Sequence, residues 1–408
     1  MRIALAGAGR IGARHAAALA RSPHVTGLVI ADADPRRAAA VAAALRPGPS
    51  TPRTASAADA ATTNALPRPD ALSHPDALSH PDALSHPDAL TSSDELSRSD
   101  ALSRTNALPR SAEEAPTVDA APTVDAAPTV DALFASGADA YVVAAATDAH
   151  AALVQRAIAL GRPVFCEKPL APDVCGTLHI VQAARAAGVA VQVGFQRRFD
   201  AGYRAARDAV LSGRLGWLHT VRSCGFDPAP PPADYVPLSG GLFRDCMIHD
   251  LDSVRYVTGR EVVRVVSAGA NRGDPFFREC GDVDTGAALL VLDDGTLGLL
   301  AATRYNAAGY DVRLEVFGAK DSVVAGLDER TPLTPLPGEQ RGRAAYSGFL
   351  ERFADAYDAE LEAFLRVAAG DLANPCPPEE ALEAFYLAEA CDLSRREGRA
   401  VDVGEVRR

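Results

Sequence analysis

Short apolar runs alternate with Ala-rich stretches of helical length over the first part of the chain, broken by one long interruption. Residues 2–6 predict a buried strand, followed by Gly7-Ala8-Gly9-Arg10-Ile11-Gly12 and an Ala-rich helix reaching Ala20. Residues 25–31 predict a second buried strand ending at Asp32, and Pro35 opens a helix that continues through residues 38–45. After the interruption the alternation resumes, with strands at 140–146, 163–166 and 189–193 and helices at 149–160 and 173–187. Strands separated by helices predict a doubly wound parallel sheet of Rossmann type. Beyond Phe195 the period changes. Residues 262–270, 285–292, 296–303 and 312–317 read as strands without helices between them, and Asp293-Asp294-Gly295 joins two of them as a hairpin turn. Two Ala/Leu-rich helices, 349–369 and 378–397, close the chain. The fold class is therefore an α/β N-terminal Rossmann domain plus an α+β C-terminal domain with an open, mostly antiparallel sheet.

The interruption is built of hexapeptides. Pro69-Asp70-Ala71-Leu72-Ser73-His74 repeats at Pro75 and Pro81, and Ala115-Pro116-Thr117-Val118-Asp119-Ala120 repeats at Ala121 and Ala127. Six residues of α-helix turn through about 600°, so successive leucines fall about 120° apart and form no stripe. A proline in every copy breaks a helix and removes a ladder donor from a strand. A β-helix of so few coils buries no core. Residues 47–127 are read as a low-complexity insert, a product of repeat expansion, and are expected to be disordered. His74, His80 and His86 recur within it but offer no preformed metal site. The domains are then 1–46 with 128–194 for the dinucleotide, the insert 47–127, and 195–408 for substrate and oligomerisation.

A chain of 408 residues suits two domains with cores of their own. The net charge of −12 argues against nucleic-acid and anionic-membrane partners, which need a basic face. The seven cysteines are scattered without a CxxC pair, as expected of reduced thiols in the cytoplasm and not of a disulfide framework or zinc site. Met1-Arg2 leads straight into the first strand, leaving no room for a signal peptide, and no apolar run reaches the ~18 residues of a membrane span.

Three groups of residues carry chemistry. Gly7, Gly9 and Gly12 form GxGxxG between a strand and a helix, where backbone N–H groups at the helix start meet a pyrophosphate. The alternative is a plain tight turn. Asp32, at the end of the second strand, suits the adenosine ribose hydroxyls and repels a 2′-phosphate, favouring NAD over NADP; Arg36 and Arg37 nearby argue the other way unless they are a solvated helix start. Lys168, in Cys166-Glu167-Lys168-Pro169, stands at the carboxyl edge of the sheet, where an ammonium stabilises a developing alkoxide; otherwise it is a surface lysine in a turn. Asp245 and His249 are spaced to share one helix face, as a proton acceptor and a carboxylate that orients it. They also read as a helix cap with a packed histidine, or as half of a metal site lacking its other ligands. Asp250 and Asp252 read as further helix or surface carboxylates.

With these motifs, and with Val193-Gly194-Phe195-Gln196-Arg197-Arg198-Phe199-Asp200 and Gly240 to Asp252, the chain resembles the Gfo/Idh/MocA oxidoreductases, in their inositol-type branch. The resemblance covers the chain outside the insert. It implies a catalytic triad of Lys168, Asp245 and His249, with His249 as base, Lys168 as its electrostatic helper and Asp245 as the partner that orients and tunes it. It implies a cofactor site including Gly7, Gly9, Arg10, Ile11, Gly12, Asp32, Thr147, Glu167 and Lys168. Arg197 and Tyr310 are implied near the substrate, together with Asp245 and His249. No metal is implied. The implied reaction is NAD-dependent oxidation of a cyclic polyol, myo-inositol at C2, in a homodimer or homotetramer. Phe226-Asp227-Pro228 departs from the pattern by lacking a His and an Asn found in some relatives, and Ala146-Thr147-Asp148 lacks the common Thr-Pro form. A pyranose dehydrogenase, with NAD or NADP, and a non-catalytic nucleotide sensor using the insert for a partner are the alternatives.

Overall fold

The computed structural model describes residues 1–46, 121–337 and 343–407. The first layer contains β1 (Arg2–Ala6), α1 (Arg10–Arg21), β2 (Gly27–Ala31), α2 (Pro35–Leu45), β3 (Thr123–Ala126), α3 (Val130–Phe134), β4 (Ala140–Val143), α4 (Thr147–Ala159), β5 (Val164–Glu167), α5 (Val174–Ala187) and β6 (Val191–Gly194). Its strands pair in parallel in the order β3-β2-β1-β4-β5-β6. The order reverses between β1 and β4, which opens a crevice at their carboxyl ends.

Both faces of this sheet are covered, which is why its strands read as unbroken apolar runs. Ile3 and Leu5 point to one face with Leu28, Ile30, Val142 and Phe165; Ala4 and Ala6 point to the other with Val143 and Cys166.

The second half contains α6 (Ala201–Leu211), β7 (Leu218–Phe226), α7 (Ile248–Thr258), β8 (Val262–Ala270), α8 (Phe276–Glu279), β9 (Thr285–Leu292), β10 (Leu297–Thr303), β11 (Asp311–Gly318), β12 (Ser322–Ala325), α9 (Phe349–Arg352), α10 (Ala354–Ala369), α11 (Pro378–Glu397) and β13 (Val401–Asp402). Its sheet has the order β12-β11-β7-β10-β9-β8-β13. All neighbours are antiparallel except β7 and β10. Strand β7 escapes the apolar pattern because only Val221 and Ser223 along it are buried, and the Ser223 hydroxyl donates to Asp250 Oδ1 (2.6 Å). The closing helix α10 returns to the first sheet: Leu361, Phe364 and Leu365 join the core of Ile3, Leu5 and Phe165.

One boundary moves. Most of the expected insert, residues 47–120, lies outside the described residues, but Thr123–Ala126 is strand β3. It pairs with β2 at the sheet edge, Val124 opposite Leu28, and Val124 is buried. Pro122 lies just before it, where an edge strand tolerates a missing donor. The next copy of the same hexapeptide does something else. Thr129 accepts from the Ala132 N–H (3.1 Å) and caps α3, whose Leu133 and Phe134 are buried. Identical sequences thus form a strand and a helix start. The residues immediately after each copy decide: Leu133-Phe134 gives the second an anchor that the first lacks.

Candidate active site

The glycine loop joins β1 to α1. Gly7 has φ +103° and lies so close to Ala144 on the adjoining strand end that a Cβ would stand 2.4 Å from its carbonyl oxygen. A Cβ on Gly12 would overlap the Gly7 carbonyl, so the helix packs directly on the turn. At Gly9 nothing lies within 4 Å of the equivalent position, and no side chain caps α1. The helix start is therefore open to an anion. Arg10 is exposed, with its guanidinium over the Phe349 ring, and Ile11 is half-buried. Asp32 accepts from the Ala8 N–H (2.6 Å) and the Asp34 N–H (2.9 Å), so the carboxylate is fixed beside the loop. Arg36 is turned to Asp34 (3.0 Å) and is otherwise solvated.

Across the crevice, Thr147 is the first residue of α4. His150, one turn on, is buried between the Pro169 and Ala145 carbonyls (2.7 and 3.0 Å). It ties the turn after β4 to the turn after β5. Glu167 ends β5, and its carboxylate pairs with the buried His15 Nε2 of α1 (2.6 Å). Glu167 thus braces Lys168 against the glycine-loop helix.

Lys168 is next in the chain, and its Nζ donates to the Asp245 backbone carbonyl (2.7 Å) and to Asp245 Oδ1 (3.1 Å). Asp245 sits in a π-helical turn, Phe243–Met247, which runs directly into α7 carrying His249. Such wide turns recur at functional sites. Asp282 Oδ1 accepts from the Leu242 N–H (3.0 Å), and Arg244 grips Glu389 of α11 with Nε and Nη2 (2.6 and 2.9 Å). These contacts hold the turn from both sides.

Asp245 is expected from the sequence to orient His249. Its carboxylate is instead taken up by other groups. Oδ1 accepts from Lys168 and from the Tyr235 hydroxyl (3.1 Å), and Oδ2 accepts from Arg304 Nη2 (2.7 Å). Burial works against the charged carboxylate, but the Lys168 and Arg304 cations outweigh it and hold the carboxyl well below its ordinary range. Arg304 is nearly buried and its Nη1 donates to Asp227 Oδ2 (3.2 Å). Burial, with Asp245 nearby, raises the Asp227 carboxyl.

His249 lies edge-on to the Phe195 ring, and its Nδ1 is buried without a partner. Burial, then the charges of Lys168 and Arg197, push the imidazole well below the ordinary histidine range, with Asp245 pulling the other way. Arg197, expected near substrate, is itself buried and donates to Asp250 Oδ1 (2.7 Å). Tyr310 is buried too; burial is the main reason its hydroxyl is raised, and Arg197 and Asp227 are among the charges around it. Asp250 and Asp252, read from the sequence as further helix or surface carboxylates, do lie on a helix, α7, but as buried partners of Arg197 and Arg198. The adjacent arginines on the turn Gln196–Phe199 supply the charges that permit this.

The sequence reasoning missed Arg304, Tyr235 and Asp227. The parallel pairing of β7 with β10 sets Phe226 beside Thr303, so Asp227 and Arg304 emerge side by side. The signal available was a charged residue, Arg304, directly after a predicted strand; Asp227 follows a strand that carries no apolar pattern.

Two family models match the chain: "Oxidoreductase family, NAD-binding Rossmann fold" over residues 85–195, and "GFO/IDH/MocA C-terminal domain" over residues 203–324. A myo-inositol dehydrogenase of Streptomyces leeuwenhoekii is 42% identical over 268 residues, 65% of this chain and 81% of the relative. The myo-inositol 2-dehydrogenase of Thermotoga maritima is 36% identical over 270 residues, 66% of this chain and 80% of the relative. The crystal structure of a myo-inositol dehydrogenase from Corynebacterium glutamicum superposes with a TM-score of 0.73 at 29% identity, covering 98% of each chain. Fold, glycine loop and these matches agree: the chain belongs to the Gfo/Idh/MocA family of oxidoreductases.

Proposed function

We propose that the protein oxidises a cyclic polyol, myo-inositol at C2, to the ketone with NAD. The observation that carries this is the ion pair of Lys168 with Asp245, one helical turn from His249, at the sheet edge that also bears the glycine loop. The open start of α1 and the Gly9 side of the loop suit the pyrophosphate, Asp32 the ribose, and Thr147 the far side of the crevice. Held there, NAD would supply the acceptor for a hydride leaving the substrate carbon. The residues handle the proton and the charge. Nδ1 of His249 is enclosed, which leaves Nε2 to take the hydroxyl proton. Lys168 stabilises the oxygen as its negative charge grows, and Asp245 keeps the ammonium in place. A panel of inositols and pyranoses assayed for NADH formation, with NADP in parallel, tests the reading; no turnover of any inositol overturns it.

Asp32→Ala is expected to weaken NAD and to raise the relative use of NADP, because the carboxylate both accepts from the ribose and repels a 2′-phosphate. Cofactor titration of the variant checks this. A wild type that already prefers NADP would shift the assignment to Arg36 and Arg37.

The same reading takes the protein as a cytoplasmic homodimer or homotetramer. Val266, Leu289 and Leu299 stand opposite one another on β8, β9 and β10, all exposed, and form an apolar row for a second copy to cover. Among the described residues no helix is long and apolar enough to cross a membrane.

It also takes the repeats upstream of β3 as dispensable. Excising residues 50–114 is expected to keep folding and turnover. Joining Pro47 to Pro128 removes β3, uncovers Leu28, and is expected to lower stability by about 2 kcal/mol or more, the scale of exposing one buried aliphatic side chain. Thermal melts of the two variants separate the outcomes.

A further inference from the structure

Arg304 holds two carboxylates at once, and one of them is Asp245. We propose that Arg304 is a positioning residue: by occupying Oδ2 of Asp245 while Lys168 occupies Oδ1, it withholds the carboxylate from His249 and keeps the imidazole neutral as a base. The inference rests on the roles proposed above for Lys168, Asp245 and His249.

The contacts fit this division of labour. Every oxygen of the Asp245 carboxylate has a cation, and Tyr235 adds a hydroxyl to Oδ1. None of these donors is the imidazole. Asp227, directly after β7 and beside Arg304, takes the other arm of the guanidinium, and the Cys246 thiol faces the same Asp227 oxygen (3.5 Å). The guanidinium is therefore anchored from behind and presents Nη2 to Asp245 in one orientation. Its two-pronged shape is what spans both acids; a single ammonium does not. The groups around His249 are Lys168 after β5, Arg197 on the turn after β6, and Asp245 on its own helical segment. Two of the three disfavour imidazolium, and the third is occupied. Among the described groups around His249, the Asp245 carboxylate, once freed from Arg304, is the one that stabilises a protonated ring.

The test is a histidine NMR titration of the whole protein without cofactor or substrate, with the His249 signal assigned from His249→Asn, run beside the pH profile of kcat. Arg304→Gln is expected to raise the His249 midpoint by about one pH unit, the scale of a newly available carboxylate neighbour. It is expected to lower kcat with KM nearly kept. In an Asp245→Asn background the same Arg304→Gln change should leave the midpoint where Asp245→Asn alone puts it. A midpoint unmoved by Arg304→Gln, or moved equally in both backgrounds, overturns the proposal. Should Arg304→Gln not fold, Arg304→Lys carries the test with a smaller upward shift expected, and no shift overturns it. The titration needs no turnover. A protein that oxidises no polyol yet shows the expected shifts refutes the proposed function and keeps Arg304 in its role; turnover without the shifts does the reverse.

Discussion

His249→Ala is expected to abolish most turnover while NAD still binds. A positioned general base contributes roughly 10²–10⁴-fold, and burial together with Lys168 and Arg197 favours the neutral form of this imidazole. The wild-type oxidation rate should rise with pH through one ionisation and then level off. Because burial and the charges of Lys168 and Arg197 depress the imidazole, that ionisation is expected below the ordinary histidine midpoint of about 6.5. The neutral ring is the active form, and a lowered pKa keeps it neutral further into acid. The limb should vanish in His249→Ala. A variant that keeps the wild-type profile removes this residue from the proton transfer and passes the role to Lys168.

Lys168→Ala is expected to lower kcat by roughly 10²–10³-fold, the scale of losing one charge aimed at a developing oxyanion. NAD affinity should change little, since both hydrogen bonds of the ammonium go to Asp245. The fold should survive, because Arg304 still pairs with Asp245. The pH profile is a second readout. Without the lysine the imidazole loses one of the cations that depress it, so the acid limb should move up in pH. Near-normal turnover with an unmoved limb would place Lys168 outside the chemistry.

The parts legible in the sequence are those fixed by neighbours along the chain. A glycine loop between a strand and a helix is local, and so is a lysine at the end of an apolar run; both stand where expected. The spacing of Asp245 and His249 predicts one helix face; Asp245 lies in the π-helical turn that leads into α7 and His249 in α7 itself, and the partners of Asp245 are long-range. Arg304 reaches Asp245 through the pairing of β7 with β10, and β7 itself has too few apolar positions to declare itself. Asp250 and Asp252 misled because charge reads as surface unless an arginine is known to lie opposite. Strand β3 hid because its residues are those of a repeat whose composition carries no core.

The identity of the tandem copies at the β3–α3 junction has a consequence for inheritance. The strand copy, 121–126, and the helix copy, 127–132, are preceded by a third with the same letters, 115–120. Loss of one unit during replication therefore deletes a number but no information: the reading frame holds, and the residues remaining ahead of Leu133 still spell one strand and one cap. Gain of a unit is equally silent at the sheet. A repeat tract can thus abut the edge of a dinucleotide fold and change in length without altering the sheet. A single-letter change inside one copy, such as Val124→Asp, falls instead on one defined place in the sheet.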